Sequence, residues 1–274
     1  MNTAPVLTPN MQRSRGHGRL SVRQLDGRTR LDRLFQEGCA KIRIPKTYHG
    51  SALEAVMINT SGGLTGGDHM RWEFEAGAGT HLMLTTQACE KVYKASAGVA
   101  QTDVTLIAGP KSRLSWVPQE TILFNRCAFA RSIEADIAED AEALFLEPMI
   151  FGRRSMGEVV TSAQIHDRWR IRQAGQLIHG EEFRMGPNVH ELLQQSAVAN
   201  GAAAMATLLF ISPRAEGFLE RARELIGPNG GVSHWNGKLL ARVLAVDGFT
   251  LRKTLLPLVQ LMNFEAALPK VWSL

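Results

Sequence analysis

The chain is poor in cysteine and has no close cysteine pair. Its three cysteines, Cys39, Cys89 and Cys127, stand far apart. An odd number at wide spacing excludes a disulfide framework and the paired pattern of structural zinc sites. Long apolar runs are also missing. The longest, residues 201–211, is too short to cross a bilayer and reads as a buried element. Residues 1–18 are polar, include Pro5 and Pro9, and lack the apolar stretch of a signal peptide, so a cytoplasmic location is expected. No low-complexity tract, fixed-period repeat or linker is visible. The expectation is one domain over 1–274, with about 1–15 as a flexible N-terminal extension.

What is present points to a folded protein. Of 274 residues, 45% are hydrophobic and 21% charged, enough apolar material for a sizeable core. The net charge of +5 is uneven: residues 1–50 hold ten Lys/Arg against three Asp/Glu, and the remainder is slightly acidic. Such a basic region attracts acidic proteins, anionic membranes or nucleic acid. A nucleic-acid surface needs interleaved aromatics, and this region offers only Phe35 and Tyr48. The plain reading is that Arg13, Arg15, Arg19 and Arg23 solvate one edge of a strand, with neither nucleic acid nor membrane as partner.

Alternation dominates the middle of the chain. Ser132, Glu134 and Asp136 alternate with Ile133, Ala135 and Ile137; Arg168, Arg170 and Arg172 alternate with Trp169 and Ile171. Successive strand side chains point to opposite faces, so each run has one dry and one wet face. Gly and Pro punctuate the runs, which indicates many short strands and a mainly β fold. The lack of alternating strand and helix units argues against a parallel α/β sheet and its nucleotide crevice. One helix is predicted after Ser212 as cap and Pro213 as first residue, with an apolar stripe at Ala215, Phe218, Leu219, Ala222, Leu225 and Ile226, ended by Gly227-Pro228. A second is predicted from Asp247 to about Asn263, kinked or broken by Pro257. Residues 237–245 fit helix or strand.

Residues 59–68, Asn-Thr-Ser-Gly-Gly-Leu-Thr-Gly-Gly-Asp, follow an apolar run and read as a loop after a strand. Asp68 and His69 occupy the places where a phosphate-binding loop needs Lys and Ser/Thr, which excludes that function. The segment reads either as a tight reversal with glycines at positive φ, or as a close-approach surface for a partner or cation with Asp68 as charged ligand. Residues 77–79, Gly-Ala-Gly, lack the third glycine of a dinucleotide fingerprint and read as a hairpin turn. The Gly-x-Ser-x-Gly elbow is absent: residues 152–157 carry an extra residue before Ser155. His179, Glu181 and Glu182, and His190 with Glu191, are local donor clusters that read as solvated. Residues 85–94 and 115–124 mix polar and apolar side chains and read as sheet edge and loop, or as an interface that binds and releases. For metal, the residues leave open a weak transient site drawn from Asp68, Cys89 and Glu90.

At this point the motifs resemble a family. Residues 59–68 look like the signature of the urease accessory proteins UreD, called UreH in some systems. Residues 85–94, Thr-Thr-Gln-Ala-Cys-Glu-Lys-Val-Tyr-Lys, resemble the family's second motif, with Cys89 where Ala is usual. Residues 116–124 resemble its third, with Val117 replacing Leu, and residues 151–158 its fourth, with Ser155 replacing Ala. Residues 268–272, Leu-Pro-Lys-Val-Trp, are similar to its ending. The resemblance implies a β-helical body with a small helical portion near the C-terminus and no enzymatic activity. It implies a scaffold that binds urease apoprotein on one side and UreF on the other, with the GTPase UreG reached through UreF. It further implies no tightly bound cofactor, and nickel in transit toward the urease site.

Carried over by position, Asp68 matches the acid ending the first motif, and Glu90 and Lys91 the charged pair of the second. Gln119 and Glu120 match the polar pair of the third, and Glu158 the end of the fourth. These are expected to face an interior route or the UreF interface, where acids would lower the energy of passing Ni²⁺ without holding it. The departures at Cys89 and Ser155 leave the ligand set open. Two other classes compete with the scaffold: a β-rich hydrolase or lyase using His and carboxylates, and a stable nickel store.

Overall fold

A computed structural model describes residues 12–46, 52–153 and 156–272. The strands in chain order are β1 (Arg15–Leu25), β2 (Arg28–Gly38), β3 (Ala40–Arg43), β4 (Leu53–Asn59), β5 (His69–Ala76), β6 (His81–Thr86), β7 (Glu90–Val92), β8 (Ala100–Ala108) and β9 (Arg113–Trp116). They continue as β10 (Thr121–Leu123), β11 (Ala128–Ile137), β12 (Glu142–Phe151), β13 (Gln164–Gln173), β14 (Gln176–Met185), β15 (Ala204–Ile211), β16 (Gly230–Trp235) and β17 (Lys238–Ala245). The helices are α1 (Val189–Gln194), α2 (Leu219–Ile226) and α3 (Gly248–Met262).

The strands wind into a β-solenoid of about four turns. Each turn lays one strand in a first sheet, ordered β14-β13-β11-β8-β5-β1-β2, and the next in a second sheet, ordered β16-β17-β15-β12-β9-β6-β4-β3. Within the turns β1, β5, β8, β11 and β13 run parallel, as do β4, β6, β9 and β12. Parallel neighbours need a crossover, usually a helix; here the crossover is a strand of the opposite sheet. That is how parallel sheets arise in a chain with no alternation of strand and helix.

Winding keeps the register. Gly18, Trp72, Val104, Ile133 and Trp169 form one inward row, and Leu20, Phe74, Leu106, Ala135 and Ile171 the next. Gly18 is required by packing: a Cβ there would lie 2.3 Å from the Trp72 ring. These rows and their counterparts on the second sheet, such as Leu84, Trp116 and Phe145, fill the space between the sheets. A second core lies on the other face of the second sheet, where Leu144, Leu146, Leu208 and Phe210 meet α2 and α3.

Several local expectations change. Residues 77–79 do not make a hairpin: β5 and β6 lie in different sheets, and the segment is a corner, with Gly77 N bonded to Val22 O and Gly109 N to Ala76 O. Residues 238–245 form β17. The helix after Pro213 starts late: Ser212 Oγ accepts from Arg214 N, a 3-10 turn covers Ala215–Phe218, and the α-helix begins at Leu219. It ends at Gly227, φ 59°, as its sequence indicates. Asp247 caps α3, accepting from Thr250 N at 2.7 Å. The helix is assigned continuously through Pro257, which sits on the exposed side. The carbonyl that Pro257 leaves unpaired can therefore bond to water.

Arg15, Arg19 and Arg23 lie on the wet face of β1, which is flanked on both sides, so they solvate a face and not an edge. Of the expected N-terminal extension, residues 1–11 lie outside the described residues. Its last part is tied down: Ser14 N donates to Asp68 at 2.8 Å, and Ser14 O accepts from His69 N at 3.0 Å. No helix among the described residues is long and apolar enough to cross a membrane.

Candidate functional site

The chain passes from the second sheet to the first at corners 60–68, 87–99, 117–127 and 152–163. These are the same corner of four successive turns, and they hold most of the first four motifs. Motifs far apart in sequence therefore stack in one column.

The first corner is built for close approach. Asn59 Oδ1 accepts from Ser61 N and Oγ, and its amide donates to Gly63 O and to both oxygens of Glu90 at 3.2 Å. Gly62, Gly63 and Gly67 have φ of 79°, 147° and 92°. A Cβ on Gly63 would lie 2.4 Å from the Tyr93 ring and 2.7 Å from Lys91 O. Leu64 can thus bond the second motif, with its N–H on Lys91 O and its carbonyl receiving Tyr93 N. Asp68 is buried, and its two oxygens accept from Ser14 N and Thr65 N, both at 2.8 Å. The tight reversal at positive φ is observed, and the carboxylate that ends it is engaged by backbone.

In the second corner Glu90 is half-buried. Burial pushes its carboxyl up to about 7, against the lowering pull of the Asn59 amide and the Lys91 N–H. The thiol of Cys89 lies 3.3 Å from Glu120 Oε2. Burial first, then the charge of Glu120, pushes that thiol up to about 12, so it is protonated and a weak ligand at neutral pH. Lys91 is exposed.

In the third corner Gln119 and Glu120 are buried, although their stretch reads as edge and loop in sequence. Gln119 donates to Thr86 O and Gln87 O. Arg252 on α3 meets Glu120 at both oxygens, and Gln119 Oε1 at 2.8 Å. Burial alone would raise the Glu120 carboxyl, but the Arg252 hydrogen bonds and charge prevail and hold it below the usual carboxylate range. In the fourth corner Glu158 accepts from Asn125 N at 3.3 Å and from Arg153 Nε at 2.8 Å. The Arg153 guanidinium lies 4.3 Å from the centre of the Phe124 ring. Arg154 and Ser155 lie outside the described residues. The C-terminal motif reaches the same column: Trp272 Nε1 lies 3.2 Å from Thr85 Oγ1 and 3.1 Å from Val117 O.

The column thus gathers every site residue expected from sequence, but in separate small networks. Cys89, Gln119 and Glu120 form one with Arg252; Glu90 pairs with Asn59; Asp68 and Glu158 each keep local partners. Among the described residues no three His, Cys, Asp or Glu converge as a metal cage. His179 and Glu181 are buried rather than solvated; Glu181 pairs with Arg242, while Glu182 on the surface holds His166, Arg170 and Arg184.

A charged cluster beneath the column has no counterpart among the sequence expectations. Arg131 on β11, buried between the sheets, pairs with Asp167 on β13 at 3.0 and 2.6 Å and with Glu147 on β12. Trp116 Nε1 donates to Glu147 at 2.8 Å, and Trp169 Nε1 to Asp167 at 3.1 Å. One cation faces two carboxylates here. Burial and the Asp167 charge outweigh the pull of Arg131 and raise the Glu147 carboxyl.

Beside the fourth corner an apolar groove of about 570 Å³ is lined by Ile122, Ile150, Phe151, Met156, Val246 and Phe249. Met156, Val246 and Phe249 are 72%, 58% and 81% exposed. These three large apolar side chains stand exposed together around the groove.

The family model for "UreD urease accessory protein" matches residues 14–273. This chain belongs to the UreD family. It is 51% identical over 263 residues to the urease accessory protein UreD of Agrobacterium fabrum, covering 96% of this chain and 92% of that one. It is 50% identical to that of Rhizobium leguminosarum bv. viciae, over 99% and 100% of the two chains. With UreD 1 of Brucella abortus the identity is 49% over 97% and 96%. Membership gives the chain a role in urease maturation.

Proposed function

We propose that the chain is a non-catalytic scaffold that joins urease apoprotein to UreF, and through UreF to UreG, and offers nickel a path toward the urease active site. The observation that carries the reading is the column: four family motifs stacked on one corner of a stiff body, with the C-terminal motif locked onto the same place. The exposed groove at Phe249 and Met156 beside it fits a docking surface for one of these partners.

The chemistry of the column favours passage over storage. Glu120 is neutralised by Arg252, Asp68 is held by backbone N–H groups, and Cys89 keeps its proton. Glu90 is the acid least compensated by protein groups, with a carboxyl near neutrality. A Ni²⁺ arriving there displaces a proton and meets few further donors, so it binds weakly and leaves readily. Thr121, the rung partner of Glu90, accepts from Arg131, which supports continuing the proposed path inward past the Glu147–Arg131–Asp167 cluster.

The test is co-purification of the chain with urease apoprotein and with UreF, followed by nickel-dependent urease activation with wild-type or Glu90→Gln protein. The expected result is retained co-purification with reduced activation. Full activation by the Glu90→Gln and Glu147→Gln double variant would remove the path. Full activation with the chain omitted would remove the scaffold.

A further inference from the structure

Among the described residues β2 ends the first sheet and pairs only with β1. None of its eleven residues is buried. Its inward row begins like any other rung: Thr29 Oγ1 accepts from His81 N at 2.9 Å, and Gln36 Oε1 from Ile42 N at 2.8 Å. Between them Leu31 and Leu34 are 39% and 42% exposed, because no rung follows among the described residues. On the outer side Phe35 is 46% exposed, edge-on to His17.

The free backbone groups can be identified. Asp26 and Gly27, φ 50° and 70°, join β1 to β2 as a two-residue turn, so Leu25 and Arg28 exchange both hydrogen bonds. Odd-numbered residues of β1 therefore face β2. The Arg15 carbonyl agrees, bonding Cys39 N on that side, while the Val22 carbonyl bonds Gly77 N on the other. Along β2, Arg28 and Arg30 face β1. The register then slips by one at Asp32, and Arg33, Phe35 and Glu37 face β1 beyond it. Thr29, Leu31, Leu34 and Gln36 are left with backbone groups pointing away.

We infer that two copies of this chain associate end to end through β2, as a two-fold dimer whose first sheets become one. An antiparallel approach puts Leu31 opposite Leu34 of the second copy and Thr29 opposite its Gln36, all with backbone groups that no described strand pairs. The bulge makes this register possible, because it moves Leu34 and Gln36 into the same outward set as Thr29 and Leu31. The same register sets Arg28 opposite Glu37 and Asp32 opposite Arg33, each twice across the axis. Exposed edges are usually guarded by charges and bulges; here the charges complement their own copy. This goes beyond the scaffold role and does not depend on it.

Sedimentation velocity of the full chain over about a hundredfold concentration range tests it. The expected result is a concentration-dependent dimer, abolished by Leu34→Lys on this exposed site. Arg28→Glu should weaken it by about tenfold or more, and adding Glu37→Arg should restore it. Hydrogen exchange supplies a second reading: amides of Leu31 and Leu34 should slow as the dimer forms, while those of Arg30 and Phe35, already bonded to β1, should not. A monomer at every concentration overturns the inference, as does a dimer indifferent to Leu34→Lys and the charge reversals. Outward amides already protected in the monomer would show that the chain's own residues, or another strand, hold the edge, and overturn it equally.

Discussion

Arg252 on α3 grips Glu120 across 132 positions of sequence, with Nε 2.9 Å from one carboxylate oxygen and Nη2 2.5 Å from the other. Glu120 is 2% exposed, so its charge has little access to water. Arg252→Ala leaves that charge unpaired and should cost about 3 kcal/mol in urea unfolding, the range for a broken buried pair. Replacing both residues, Arg252→Met with Glu120→Leu, should recover most of the loss.

The same pair sets a response to acid. The Glu120 carboxyl is held below its unfolded value, so its contribution is present above that value and is lost as pH falls through the folded one. Stability measured from neutral pH down through the carboxylate range should drop less in Glu120→Gln than in wild type, once normalised to its own neutral value.

Glu90 and Glu147 act with the opposite sign. Both carboxyls are raised by burial, so the folded state binds protons more tightly than the unfolded chain. Stability from these two groups declines as pH rises from about 4.5 toward 7. Glu90→Gln and Glu147→Gln should each flatten the decline in thermal melts taken across that window.

Two neighbouring glycines should separate strain from crowding. Gly62 has φ 79° with open space where a Cβ would go; Gly63 has φ 147° and the Tyr93 ring and Lys91 carbonyl in the way. Gly62→Ala should cost about 1 kcal/mol and Gly63→Ala about 3 kcal/mol or more by chemical denaturation. Equal costs would contradict the close-approach role given to Gly63.

Phe249→Glu changes a side chain that is 81% exposed. The melting transition should move by no more than about 0.5 kcal/mol equivalent, while co-purification with UreF or urease apoprotein falls. Unchanged recovery of both partners would exclude the groove as a docking surface.

The β class, the apolar stripe running into α2 and the span of α3 were legible because each rests on a local period. The solenoid was not legible from periodicity. Its corners differ in length, so equal rungs return at unequal intervals and no fixed repeat shows; only the resemblance indicated it. The buried cluster was within reach. Arg131 is in phase with Ile133 and Ala135, and Asp167 with Trp169 and Ile171, so extending either alternation by two positions places a charge on a dry face. Arg252 was harder: nothing in the sequence of α3 shows which acid, more than a hundred residues earlier, its fork will meet.

A coil of hydrogen-bonded rungs resists bending and shear alike, since no strand moves without tearing its neighbours' bonds. Anything gripping one of its turns is therefore held at a set distance from whatever grips another. Such a body behaves as a strut: it keeps separation and angle constant between any two points along its length.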